Sequence, residues 1–189
     1  MVSFAALTCM VSGMTSSASP KKATVSPLVT FQSPEEARSW RTVNDDVMGG
    51  RSLGGSVVEA GQLVFTGLIN TNGGGFSSVR RQLEPGALEG GRALVLSVKS
   101  DGRAYRLIAQ TDARFRDRYV SYQAPIPVSE VGEWATVRIP LSDFAPTVFG
   151  RSVPASEFVP AQVTELGVII ADNVDGNFAL TVRSISVER

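Results

Sequence analysis

From Gly54 onward the chain keeps a two-residue beat. Leu94, Leu96 and Val98 alternate with Val95, Ser97 and Lys99, and Tyr105, Leu107 and Ala109 with Arg106, Ile108 and Gln110. Tyr122, Ala124 and Ile126 follow suit, and Val137, Ile139 and Leu141 alternate with Thr136, Arg138 and Pro140. A period of two places successive side chains on opposite faces of a strand, so each run offers one apolar face to a core. Gly54–Val58 and Gln62–Ile69 are β-prone runs joined by Glu59-Ala60-Gly61, a hairpin-like turn, and Phe76–Leu83 is another run. Leu166, Val168 and Ile170 enclose the equally apolar Ile169, the pattern of a strand buried on both faces. Phe178, Leu180 and Val182 share one phase, while Ile185 and Val187 take the other. A β-bulge near Arg183-Ser184 would return both sets to one face.

Helical signals are confined to one place. Ser33 as a cap, Pro34 in the first position and Glu36 three residues after the cap predict a short helix ending near Trp40. Many strands, frequent Gly/Pro/Asn/Asp turns and almost no helix predict an all-β fold, an antiparallel β-sandwich or barrel with one short N-terminal helix. Strand–helix alternation, internal repeats and a second domain are absent from the pattern.

Composition narrows the chemistry. The chain has 189 residues, 43% of them hydrophobic, which suits one domain with a substantial core. Eighteen Lys and Arg balance eighteen Asp and Glu, so no overall nucleic-acid or membrane-surface footprint is present. The chain has no histidine, which rules out Ser-His-Asp and Cys-His catalysis and removes the commonest metal ligand. Cys9 is the one cysteine, so neither an internal disulfide nor a thiolate zinc site can form. No cofactor and no metal are expected. Residues 1–27 are read as a tail outside the fold, with the domain occupying 28–189. The mildly apolar start and the small residues Ser17-Ala18-Ser19 fit a signal segment as well as a disordered tail. The location is accordingly cytoplasmic or, with a working signal, exported or periplasmic. No run approaches the roughly 18 apolar residues of a membrane span.

Several places could carry recognition, each beside a plainer reading. Trp40 leads into Asn44-Asp45-Asp46, Met48, Gly49-Gly50 and Ser52, a stretch flanked by strand patterns on one side only and so expected to be an ordered loop feeding a strand. Those oxygens could take sugar hydroxyls or Ca²⁺, but they do not fall at the alternate positions of a calcium loop, and the plainer reading is an Asx-stabilised turn. Asn72, Gly73, Gly74 and Gly75 before Phe76 could form an anion-binding nest, though no Gly-Lys-Ser/Thr follows. The favoured reading packs these glycines under the Met48-Gly49-Gly50 loop. Arg114, Arg116 and Arg118 interleave with Phe115 and Tyr119, an arrangement for bases, sugars or a protein partner. Asp112 and Asp117 weaken the field, so nucleic acid is disfavoured there and a solvated hairpin tip is the plainer reading. Trp40 and Trp134 are expected to plug the ends of the core. Acids such as Asp46, Asp101, Asp112, Asp143, Glu157 and Asp172 are plentiful, yet nothing pairs two of them for glycosidase chemistry.

Four ordered motifs carry a family resemblance over about residues 30–189. They are Trp40-x-x-Val43-Asn44-Asp45-Asp46-Val47-Met48-Gly49-Gly50-x-Ser52; Phe65-Thr66-Gly67 with Asn72-Gly73-Gly74-Gly75-Phe76-Ser77-Ser78-Val79-Arg80; Trp134 before Val137–Leu141 and Phe144-Ala145-Pro146-Thr147; and Leu166–Asp172 with Gly176–Leu180. Together they resemble the CIA30 family, the complex I intermediate-associated protein 30 domain. Where that family tends to carry Arg-Gly-Arg, this chain reads Phe149-Gly150-Arg151. The resemblance implies a galactose-binding-like jelly roll and a non-catalytic role in protein recognition, as in chaperones for assembly of respiratory complex I. A carbohydrate-binding module is the alternative, and an RNA-binding accessory domain the second alternative.

Overall fold

In the computed structural model, which describes residues 23–128 and 130–189, the alternating runs pair into two antiparallel sheets stacked face to face. In chain order the strands are β1 (Val25–Val29), β2 (Trp40–Asn44), β3 (Leu53–Glu59), β4 (Gln62–Ile69), β5 (Ser77–Gln82), β6 (Ala93–Ser100) and β7 (Tyr105–Phe115). There follow β8 (Arg118–Pro125), β9 (Trp134–Pro140), β10 (Ala145–Val148), β11 (Arg151–Ser152), β12 (Glu165–Ile170) and β13 (Gly176–Glu188). One sheet has six strands in the order β3-β4-β13-β6-β9, with β1 added against β13. The other has seven, in the order β11-β10-β8-β7-β12-β5-β2. This is the jelly-roll sandwich the motifs imply. Among the described residues no helix is long and apolar enough to cross a membrane.

The core forms where the inward phases of both sheets meet. Phe65 and Phe178 pack edge to face with ring centroids 4.8 Å apart, and Tyr105 joins them at 6.5 Å. Elsewhere in the core Phe158 stacks on Phe144 at 4.7 Å and tilts against Tyr122 at 5.1 Å. The register of β13 against β6 slips between Val182 and Ser184, which is the bulge that the phase change demands. Ala60 and Gly61 both take positive φ, the geometry of a tight hairpin turn between β3 and β4. Every residue of β12 is buried.

The helix α1 (Pro34–Arg38) starts as the sequence indicates, with Ser33 Oγ accepting from the Glu36 amide at 3.2 Å. The Glu36 carboxylate accepts from Trp40 Nε1 at 2.9 Å and from Arg81 at 2.6 Å, and so pins the tryptophan against Phe31.

Three expectations need correction, and β10 and β11 are strands that no alternating run marks. Chain pairing starts at Val25, inside the segment assigned to the tail, because β1 pairs with the end of β13; the signal or tail reading of the first 22 residues lies outside the described residues. Trp40–Asn44 is an edge strand rather than loop; its polar exposed face hid it. The segments β10 and β11 also pair as strands. Trp134, expected in the core, lies on the outer face of the six-stranded sheet. Val137 and Ile139 take the inward phase of β9, which turns Trp134 outward beneath the Arg183 guanidinium, 3.9 Å above its ring.

Candidate functional site

The two glycine-bearing motifs meet, as expected, around one carboxylate. Asp45 opens a 3-10 turn after β2 and is fully buried. It accepts from the Ser52 amide at 2.8 Å, Ser52 Oγ at 2.6 Å, the Gly75 amide at 2.5 Å and the Phe76 amide at 3.3 Å. Burial alone would raise its pKa; these hydrogen bonds to the charged form outweigh it and hold Asp45 below the usual carboxylate range. The nest after Asn72 does bind an anion, and that anion is the protein's own side chain.

Gly50 and Gly74 flank Asp45 so closely that a Cβ on either would stand 2.7 Å from the Asp45 Cβ and nearer still to the carboxylate. One step away Asn44 Oδ1 accepts from Ser77 Oγ at 2.6 Å while its amide donates to the Gly54 carbonyl at 3.2 Å. Asn44, Asp45, Gly50, Ser52, Gly74 and Phe76 thus form a clasp joining the β2 edge of one sheet to the β3 edge of the other. Asp46, Asn72 and Gly73 lie exposed beside it. Gly49 sits at φ 86° with open space around it, so alanine there meets backbone strain and no clash. Gly49→Ala is expected to lower stability by about 1 kcal/mol and Gly50→Ala by at least about 2, read as urea midpoints.

The arginines of the β7–β8 hairpin occupy an exposed tip whose turn is made by Arg116 and Asp117 at positive φ. Arg114 stacks on Tyr119 at 4.0 Å, Arg116 lies 5.4 Å from Phe115, and Arg118 lies 5.6 Å from Phe149 of the neighbouring β10–β11 turn. The guanidiniums are spent on local aromatic contacts as much as offered outward. Arg103 ties Asp172 through Nε at 2.9 Å and Nη2 at 2.6 Å, and Asp101 accepts from Tyr105 and the Ala179 amide. Asp172 lies below the usual carboxylate range: burial raises it, but Arg103 lowers it further. Among the described residues no group of three Asp, Glu, Cys or His could hold a metal.

A third place was not legible as a motif. Val79, Leu107, Ala109, Tyr122, Leu166 and Val168 of the seven-stranded sheet point into the core, so the residues between them line its outer face. The register aligns them in rows. One row is Arg41, Arg80, Gly167, Ile108, Gln123 and Ala145; the next is Gln82, Glu165, Gln110, Ser121, Thr147 and Ser152. A third row carries Ser78, Ile169 and Arg106. Although they face away from the core, Glu165 is 4% exposed and Gln123 8%. Arg41, Gln82 and Arg80 reach across the sheet to Glu165. Gly167 has no room for a side chain between them: a Cβ there would come 2.2 Å from the Val79 carbonyl oxygen and 3.0 Å from Arg80 Cγ.

Arg80 is held at Nε by Ser78 Oγ at 3.0 Å and brings Nη1 within 3.6 Å of Glu165. Glu165 accepts from Arg41 Nη2 at 2.5 Å and from Gln82 Nε2 at 3.3 Å. Burial lowers the Arg80 pKa; Glu165 raises it and Arg41 lowers it again. Of the residues singled out in the sequence, Arg80 alone reaches this network. The available signal was Glu165, an acid at the head of an otherwise apolar strand.

The likeness to solved structures lies in the fold. A family 11 carbohydrate-binding module of the cellulosomal cellulase Lic26A-Cel5E of Clostridium thermocellum superposes with a TM-score of 0.64 at 15% identity, covering 88% of this chain and 95% of that one. A family 11 module from Clostridium thermocellum in complex with a β-1,3-1,4-mixed-linked tetrasaccharide gives 0.62 at 16% identity, over 86% and 94%. The agarase AgWH50C matches at 0.56 and 9% identity, over 87% of this chain and 24% of that chain. Among curated proteins no sequence matches. The asparagine-aspartate clasp, the glycine nest closing on it and the sandwich they join account for the motifs that carry the sequence assignment: residues 29–182 match the family model of Complex I intermediate-associated protein 30, and the chain belongs to the CIA30 family.

Proposed function

We propose that the domain is a non-catalytic recognition module of the assembly-factor kind, which docks a protein partner through an apolar corner built by the signature loop. The observation that carries this is a division of labour within that loop. Asn44, Asp45, Gly50 and Ser52 turn inward to the clasp, whereas Val47 and Met48 are 70% and 56% exposed. The loop leads into Leu53, which is exposed opposite the exposed Leu68, with Val57 further along the same edge strand. Apolar side chains grouped at one exposed edge, here from the turn and from β3, mark an interaction surface. The acids give no counter-argument for turnover: Asp101 and Asp172 are tied into the Arg103 network, and Asp46, Asp112, Asp143 and Glu157 are exposed. The family's description favours subunits of respiratory complex I as the partner.

Affinity capture from native extract tests this. The wild-type chain is expected to retain respiratory subunits. Val47→Asp combined with Met48→Asp is expected to lose them with an unfolding temperature close to that of wild type. Equal capture by that variant would refute the docking corner.

A second reading, a carbohydrate-binding module, draws on the outer face of the seven-stranded sheet. Its amide, guanidinium and hydroxyl groups are laid out for a ligand rich in hydroxyls. The family 11 modules of like fold are described as carbohydrate-binding. Retention of the chain on immobilised polysaccharide would favour this reading over protein docking.

A further inference from the structure

We propose that the outer face of the seven-stranded sheet binds an acidic polysaccharide, whose carboxylates pair with Arg80 and Arg106 and whose hydroxyls meet Gln123. This rests on the second reading above, carbohydrate on that face, and adds the charge of the ligand.

The argument is one of unspent donors. Arg41, Arg80 and Arg106 share three adjacent rows with a single carboxylate, Glu165. Arg41 and Arg80 stand directly opposite one another across β2 and β5, an arrangement that like charges disfavour. Glu165 relieves it in part, since its hydrogen bonds go to Arg41 and Gln82 while Arg80 Nη1 stays at ion-pair distance. Among the described residues neither terminal nitrogen of Arg80 has a hydrogen-bonded acceptor, and the Arg106 side chain has no hydrogen bond or ion pair. The Gln123 amide also has no partner within the protein, although the residue is more than nine-tenths buried and faces out of the sheet. None of these atoms is sealed from solvent without a partner.

A guanidinium held at its Nε, with Nη1 only at ion-pair distance from Glu165 and no acceptor hydrogen-bonded to either terminal nitrogen, is oriented to donate to an incoming carboxylate. The ligand must also suit the interior of a sheet. The strands there have paired on both sides, so an incoming peptide has no backbone edge to join. A flat chain rich in hydroxyls needs no edge; from β2 to β10 the face spans about 24 Å at the usual strand spacing, enough for several sugar rings. The charge left on the face is positive, and a chain carrying a carboxylate on its rings complements it.

Calorimetric titration of the full chain with oligogalacturonate, with a neutral β-glucan oligosaccharide and with polyglutamate tests the proposal. Oligogalacturonate is expected to bind, more weakly as salt rises. Arg106→Gln, at an exposed side chain that bonds to nothing in the fold, should weaken it about tenfold, as should loss of any charge-assisted pair of this strength. Lys99→Gln, exposed on the outer face of the six-stranded sheet, should leave it unchanged. Equal affinity for the neutral glucan, unaffected by Arg106→Gln, would overturn the acidic preference while the carbohydrate reading stands. Binding of neither glycan would overturn both. Polyglutamate binding as tightly as oligogalacturonate would overturn the proposal in favour of an acidic protein segment.

Discussion

Replacing Asp45 with alanine is expected to lower the unfolding free energy by about 4 kcal/mol, the largest effect of any polar substitution in this chain. The carboxylate is the shared acceptor for the Ser52 amide and hydroxyl and for the Gly75 and Phe76 amides. Its removal strands buried donors, each costing about 1–3 kcal/mol when left unmade, less whatever entering water recovers. It also empties the space that Gly50 and Gly74 were shaped to leave. Asp45→Asn is expected to cost about half as much, because the amide keeps one acceptor oxygen but turns a donor toward donors.

Both variants also differ from the wild type in their pH dependence. Asp45 is held below the usual carboxylate range, its hydrogen bonds prevailing over burial. A depressed carboxylate contributes stability that is complete above its unfolded pKa near 3.9 and is lost as pH falls through the lower folded value. Urea midpoints of the wild type should therefore drop steeply below about pH 4, and the Asp45→Asn variant should lack that share of the acid limb. A wild-type-like midpoint for Asp45→Ala would mean that the glycine motifs close on each other without the carboxylate, and the clasp would not be what joins the sheets.

How far the sequence reaches is clear from particular residues. The period of two gave the strands around Leu94, Leu107, Tyr122 and Ile139, and the phase change after Val182 required the bulge that β13 contains. Such signals are local, written in neighbours two residues apart. β2 escaped because an edge strand with Arg41 and Thr42 exposed has no apolar beat to read. Trp134 was misplaced although the alternation of Val137 and Ile139 with Thr136 and Arg138 already puts its position on the polar face; the size of the ring was given more weight than its phase.

The clasp was legible in kind, since glycines in both motifs implied close approach. Which side chain fills the gap between Gly50 and Gly74 required coordinates. The outer face was not legible, for a topological reason. Arg80, Glu165, Gln110 and Gln123 come from four strands whose neighbour relations follow from sheet order, and nothing within each strand encodes that order. Alternation says that a residue points outward; it does not say beside whom.

Glu165 offers the second large effect. Glu165→Ala is expected to destabilise the fold by about 3 kcal/mol, at the lower end for a broken buried ion pair. The acid is buried, whereas Arg41 keeps 55% of its side chain in solvent and Arg80 keeps 15%. Arg80 therefore dominates the loss: its stem is fixed over Gly167 and its guanidinium cannot swing out to water without giving up Ser78. Arg41 can turn away, and its own pair with Glu165 should be worth under about 1 kcal/mol in a double-mutant cycle, as exposed pairs are. Removing both buried charges together, Glu165→Leu with Arg80→Met, should recover most of the stability, because an apolar pair of similar size needs no desolvation.

A ligand carboxylate arriving at Arg80 would take up the role that Glu165 vacates. Oligogalacturonate should accordingly raise the melting temperature of Glu165→Ala by more than it raises that of the wild type, since ligands stabilise in proportion to their preference for the folded state. If Glu165→Ala unfolds within about 0.5 kcal/mol of the wild type, as ordinary surface changes do, the arginines of this face are held by packing alone. The charge that draws an acidic chain to it would then be spread over mobile side chains instead of being fixed in place.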